Sequence, residues 1–235
     1  LDGVRLLAQR DRQRREADRP AVEAVDRSLM DAQLGFLIHQ LSGRYQEKSL
    51  DSYVAEPFRG VDWQIQQMQE FPGGLRGSAD EWELVVSRLA AVPAYVRGAQ
   101  SNLQAGKRRG NLPDWRLVRR DGIEGAQANV EYFRSTVPTT AAKYLGARPF
   151  ARTLKTELQK AANGAAGAYS ELGEFLGRTY GNDSTNRFAI GEQEYDWRLR
   201  HCLNVSRKAA ELFDYGAEQT ALYQSKIYAV AQEVA

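Results

Sequence analysis

Ser78-Ala79-Asp80-Glu81-Trp82-Glu83-Leu84-Val85-Val86-Ser87-Arg88-Leu89 decides the fold class. Ser78 followed three residues later by Glu81 is a capping box. The serine hydroxyl can accept the N–H of position 81 while the Glu81 carboxylate reaches back to the N–H of Ser78. Downstream, Trp82, Val85, Val86, Leu89, Val92, Val96, Ala99 and Leu103 recur at helical spacing as far as Gly106, which is the pattern of a helix with one buried face. Pro93 inside this run removes one backbone hydrogen bond and predicts a kink. Lys107-Arg108-Arg109-Gly110-Asn111 then reads as a basic turn, with cations at the end of the helix where its dipole favours them.

Working outward, the same periodicity recurs on both sides. Val22, Val25, Leu29, Ala32, Phe36 and Leu37 form one stripe, with Pro20 just ahead of it where a missing N–H is harmless. The stretch from Gly43 to Gly77 is more irregular, broken by Pro57, Gly60, Pro72 and Gly73-Gly74, with a short helix around Trp63, Ile65 and Met68. Pro113 opens a helix through Leu117, Val118, Ile123, Ala126, Val130 and Phe133, followed by a loop at Pro138-Thr139-Thr140. From Pro149 to Tyr180 one long helix carries Leu154, Leu158, Ala162, Ala165, Tyr169, Leu172, Phe175 and Leu176 on one stripe. Its many Ala and Gly residues predict close helix–helix contact. Gly181-Asn182-Asp183-Ser184 ends it. Gly191 precedes a helix from Glu192 to about Leu203, and Ser206 is placed to cap a last helix with Leu212, Tyr215, Leu222, Ile227 and Val230 inward. The reading is an all-α, irregular multi-helix bundle of about seven helices. It is a single helical unit over 1–235, which can be subdivided into N-terminal helices with an irregular linker (1–77) and a main bundle (78–235).

Composition narrows the chemistry. The 235 residues hold 32 Lys+Arg against 30 Asp+Glu, so net charge alone does not point to nucleic acid. The single Cys excludes an internal disulfide and a thiolate zinc cluster. The longest apolar runs, such as Leu89–Val96, fall far short of a membrane span. The chain opens Leu1-Asp2-Gly3 without an initiator Met, which suggests a processed product or a piece from which any signal peptide is already gone.

The catalytic patterns fail one by one. A zincin needs His-Glu-x-x-His on one helix face, but His39 is followed by Gln40 and His201 by Cys202. A helical di-iron centre needs Glu-x-x-His, and three residues before the histidines stand Phe36 and Arg198. Both histidines therefore read as surface or hydrogen-bonded core residues, and Cys202 as a buried, inert thiol. No nucleophile elbow or phosphate loop is found. The cluster Lys107, Arg108, Arg109, Arg116, Arg119 and Arg120 reads as a solvated face. The densest mixture of aromatic and charged groups lies around Gly191, where Tyr195, Trp197 and Arg198 sit among Glu192, Glu194 and Asp196.

At this segment the sequence resembles a known family. Phe188-Ala189-Ile190-Gly191-Glu192-Gln193-Glu194-Tyr195-Asp196-Trp197-Arg198-Leu199 and Glu211-Leu212-Phe213-Asp214-Tyr215-Gly216-Ala217-Glu218-Gln219 are similar to stretches of the bacterial family labelled domain of unknown function 885. Arg88-Leu89-Ala90-Ala91-Val92-Pro93-Ala94-Tyr95, Asn102-Leu103-Gln104-Ala105-Gly106 and Pro57-Phe58-Arg59-Gly60-Val61-Asp62 fit the same family in the same order. The resemblance implies a zinc-peptidase-like, gluzincin-like helical fold, often exported as a periplasmic protein or lipoprotein. It also implies a His-Glu-x-x-Pro-Gly-His-His metal signature in a C-terminal half, and these residues contain no such signature.

The resulting expectation is the N-terminal, cleft-forming part of a metal-dependent, peptidase-like hydrolase. No catalytic residue, metal ligand or cofactor is assigned to this chain, and zinc is expected in the full-length protein. Tyr195, Trp197 and Arg198 are the candidate contacts to a peptide substrate. The expected partner is the remaining C-terminal part of the same protein, with no nucleic acid and no transmembrane segment. The alternative is a stand-alone helical protein-interaction module without catalysis.

Overall fold

A computed structural model describes residues 2–13, 21–181 and 184–234. It is all-α apart from one minimal hairpin, and it is irregular. Among the described residues there are eight longer helices when the continuous run 115–145 is taken as one, and a short 3-10 helix at Tyr45–Glu47. Chain contacts divide it into two units, residues 44–188 and the two chain ends 1–43 with 189–235.

In the 44–188 unit, α3 (Leu50–Gln67), α4 (Ala79–Arg108) and α8 (Ala151–Tyr180) enclose the core with a composite helix between α4 and α8. The Ser78–Glu81 capping box forms as read. Glu81 N–H donates to Ser78 Oγ at 3.3 Å and Ser78 N–H donates to Glu81 Oε2 at 2.7 Å. From that start α4 runs unbroken through Pro93, burying Trp82, Val85, Leu89, Val92, Val96, Ala99 and Leu103. Its most extensive partner is α8. The stripe of α8 is buried as expected, with Phe175 half-buried against the same core. The alanines supply the close approach: Ala162, Ala165 and Ala166 are wholly buried. The glycines do not. A methyl group at Gly167 or Gly177 would meet nothing within 4 Å, and Gly164 and Gly167 instead border a groove of about 320 Å³ with Pro93, Arg97 and Glu171.

In this unit two expectations are corrected and a hairpin is added. The helix around Trp63 is not short: α3 spans eighteen residues and passes through Pro57. Two strands of two residues each, β1 (Glu70–Phe71) and β2 (Leu75–Arg76), turn back at Gly73 and Gly74, whose φ values of 83° and 73° favour glycine. The loop expected at Pro138 is helix. Here α5 (Trp115–Leu117), α6 (Gly125–Glu131) and α7 (Val137–Leu145) are joined by π-helical turns at Val118–Glu124 and Tyr132–Thr136. Pro138 falls in the first turn of α7, where a missing N–H is tolerated.

The other unit contains α1 (Asp2–Gln13), α2 (Ala21–Ser42), α9 (Glu192–Cys202) and α10 (Ala209–Val234). Here α2 meets α1 and α9, and α10 meets α9. The stripe on α2 is only partly covered. Phe36 and Leu37 are half-buried, whereas Val25 and Leu29 are exposed. Pro20, the side chain of Val22, and Asn182 and Asp183 lie outside the described residues. The last helix departs furthest from expectation. Ser206 does not cap it. Its first N–H groups go to carboxylates, Lys208 N–H to Glu211 and Ala209 N–H to Asp196. Leu212 is half-buried, but Tyr215, Leu222, Ile227 and Val230 are exposed rather than inward, and no residue of α10 is buried. No helix among the described residues is long and apolar enough to cross a membrane.

Candidate functional site

The site is built on α9 and the last turns of α2. Gly191, with φ 90° and ψ 154°, admits the chain to α9 in a conformation that a side chain would oppose. Glu192 and Glu194 follow in the first turn, where carboxylates suit the helix N-terminus. Helical spacing then places Glu194 beside Arg198 and Trp197 beside His201, each pair four residues apart.

Arg198 Nε donates to Glu194 Oε1 at 2.7 Å, and His39 Nε2–H donates to Glu194 Oε2 at 2.7 Å. One carboxylate thus ties a guanidinium on its own helix to an imidazole 155 positions away in sequence. Its two oxygens are both engaged, so its part is to hold its neighbours in place. The His39 ring lies flat on Trp197, with centroids 3.7 Å apart and planes 13° from parallel. His201 stacks on the same indole at 4.8 Å. On the buried side of α9, Leu199 anchors the helix.

Trp197 borders two concavities. One, about 530 Å³, is formed with His39, Gly191, Gln193 and Glu194. The other, about 230 Å³, opens toward the start of α10. Of the three candidate contacts named from the sequence, Trp197 and Arg198 meet around Glu194, and Tyr195 is exposed and borders neither concavity. His39 was not among the candidates. No linear signal pairs position 39 with position 194, because only the packing of α2 on α9 brings them together.

The remaining chemistry is sparse. Cys202, at the C-terminal end of α9, is exposed rather than buried. Desolvation pushes its thiol above the ordinary value, away from the reactive thiolate. Among the described residues no group of three or more His, Cys, Asp and Glu side chains is placed to hold a metal ion. His39 and Glu194 bond to each other, and among the described residues no third His, Cys, Asp or Glu side chain joins them as a possible metal ligand. In the 44–188 unit four arginines of the basic cluster have acidic partners. Arg109 pairs with Glu47, Arg116 with Asp114, Arg119 with Glu124 and Arg120 with Asp121. Lys107 Nζ donates to the Thr179 carbonyl at 2.7 Å. The hydrogen bonds from Arg116 hold the Asp114 carboxyl below its ordinary range.

These features define an all-helical domain with an aromatic, imidazole and carboxylate constellation and no metal cluster among its described residues. The family model described as "Bacterial protein of unknown function (DUF885)" matches residues 4–235, and the chain belongs to that family. No curated protein and no solved structure matches it.

Proposed function

We propose that this chain is the helical, cleft-forming part of a metal-dependent, peptidase-like hydrolase whose metal centre is made by residues outside it. In this reading α9 faces the substrate, with Trp197 and Tyr195 offering aromatic surface to a peptide and Arg198, steadied by Glu194, offering charge. Zinc binds in the full-length protein on the signature that the family resemblance implies. An exported location follows from the same resemblance.

The observation that carries the proposal is the surface of α10. Tyr223, Ile227, Val230 and Val234 recur at steps of four, three and four residues, so they share one stripe, and all four are more than half exposed. Each such side chain gains about 1.5–3 kcal/mol when it leaves water. A stripe of this kind on a 26-residue helix is a surface made to be covered. The occupant in this reading is the C-terminal part of the same protein. In the interaction-module alternative the same stripe would receive a different protein.

Metal analysis and peptide hydrolysis on two chains test the proposal: the 235 residues alone and a longer chain carrying the His-Glu signature. The expected result is stoichiometric zinc and hydrolysis in the longer chain only. Zinc held tightly by the 235 residues, or a longer chain with neither zinc nor hydrolysis, would overturn it.

A further inference from the structure

The smaller concavity beside Trp197 has a different character from the rest of the molecule. It lies where α9 ends and α10 begins, and its wall carries Arg200, His201, Ser206, Arg207 and Lys208, with Val205 and the indole of Trp197 as apolar surface. The connector that supplies half of this wall is folded tightly back on α9. Leu203 N–H donates to the Arg198 carbonyl at 3.3 Å, and Val205 N–H donates to the Leu199 carbonyl at 2.8 Å. Asn204 between them takes a left-handed φ of 53°. Asp196 Oδ1 accepts the Ala209 N–H at 2.7 Å, which fixes the first turn of α10 to α9. The Arg207 guanidinium sits over the Tyr215 ring at 4.1 Å, so its planar fork is held at the rim.

Charge sets this cavity apart. Its wall has three permanent cations, Arg200, Arg207 and Lys208, against one carboxylate, Asp196, which already accepts the Ala209 N–H. Among the described residues no carboxylate lies within ion-pair distance of any of these three cations. In the basic cluster of the other unit, by contrast, Arg109, Arg116, Arg119 and Arg120 each have an acidic partner. Converging uncompensated cations raise the local concentration of anions, and guanidinium groups match the flat, two-oxygen face of a carboxylate or phosphate.

Size and lining define the ligand further. A cavity of about 230 Å³ takes a charged head and a few more atoms, which is less than the 300 Å³ or so at which cavities begin to enclose whole drug-sized molecules. The Val205 and Trp197 surfaces add an apolar flank that inorganic phosphate would not use. We propose that this concavity binds the anionic end of a small organic ligand, a carboxylate or phosphate borne on an apolar or aromatic group. The site stands whether or not the chain serves a hydrolase.

Calorimetric titration with four probes tests it: acetyl-Ala-Ala-Phe with a free carboxylate, the same peptide as its amide, phenyl phosphate and inorganic phosphate. At least one of the two phenyl-bearing anions is expected to bind, and its affinity should fall with added salt. Whichever binds more tightly identifies the head group. The amide and inorganic phosphate should each bind about tenfold more weakly than that anion. Arg200→Gln with Arg207→Gln should weaken the anion about tenfold, as should Lys208→Gln with Arg207→Gln, and an unchanged circular dichroism spectrum will show that each variant is folded. Absence of binding by both phenyl-bearing anions would overturn the proposal. So would equal binding of acid and amide when the carboxylate is the preferred head, equal binding of phenyl phosphate and inorganic phosphate when the phosphate is, or unchanged affinity in the folded variants.

Discussion

The Tyr169 hydroxyl donates to the Tyr53 carbonyl oxygen at 2.9 Å, and Pro57 is the reason that carbonyl is available. In a helix the carbonyl of residue 53 would accept from the N–H of residue 57, which proline lacks. The interior of α3 therefore exposes a polar oxygen in the core, and α8 supplies the donor. The next carbonyl, Val54, accepts from the Asn129 side chain at 2.7 Å. A helix-breaking residue is thus built into three elements at once.

Removing the donor should be costly in a way that depends on Pro57. Tyr169→Phe leaves a buried acceptor without its hydrogen bond, a loss of about 1–3 kcal/mol. In a Pro57→Ala background the restored N–H satisfies Tyr53, so the same substitution should cost at least about 1 kcal/mol less. Urea unfolding of the four chains measures this coupling. Equal costs in both backgrounds would refute the explanation.

Glycines in this protein divide by what surrounds them. A methyl group at Gly106 would run into the backbone of Glu47, a buried residue bonded to Arg109 and Asn111. Gly106→Ala should therefore destabilise by about 2–3 kcal/mol. Gly167→Ala has open space at the groove and should stabilise by about 0.5–1 kcal/mol through helix propensity. Thermal unfolding of both variants separates the two cases.

Alkaline pH should unfold the 44–188 core through its tyrosines. Burial pushes the Tyr180 phenol up to about 12, and it also raises Tyr53, Tyr132 and Tyr169. Tyr132 is raised further by donating to Asp62 at 2.7 Å. The folded state favours the neutral phenol. Its stabilisation is complete below the ordinary value of 10.0 and is lost as pH rises from there through the folded values. Tyrosinate absorbance followed with circular dichroism should show late ionisations that coincide with loss of helix. Ionisation of all 11 tyrosines near pH 10 with the helices intact would contradict this.

Trp197 is the joint between α2 and α9. Trp197→Ala removes its stacking on His39 and should destabilise the unit formed by the chain ends by about 2 kcal/mol, whereas Trp197→Phe should lose about half as much. Proteolysis within residues 21–42 reports the loss. Equal protection in all three chains would show that the stack holds nothing together.

Local chemistry was legible from the sequence and long-range pairing was not. Ser78 and Glu81 form their box because both partners lie within one turn, and the stripes of α4 and α8 are buried because helical period alone fixes a face. Pro138 misled because a proline marks a helix break equally well as a helix start, and only the π turn before it decides. Tyr195, Trp197 and Arg198 drew notice through their density, but His39 belongs to the constellation only through the fold. Apolar residues on α10 have helical period without burial, because periodicity says that a face is made to be covered and not what covers it.

Hydrogen exchange on α10 tests the central claim most directly. Amides of residues 213–234 are to be compared in the 235-residue chain and in a longer chain bearing the metal signature. Docking of the C-terminal part on the Tyr223–Val234 stripe should slow their exchange by at least about tenfold in the longer chain. Identical exchange in the two chains would contradict the assignment of this surface.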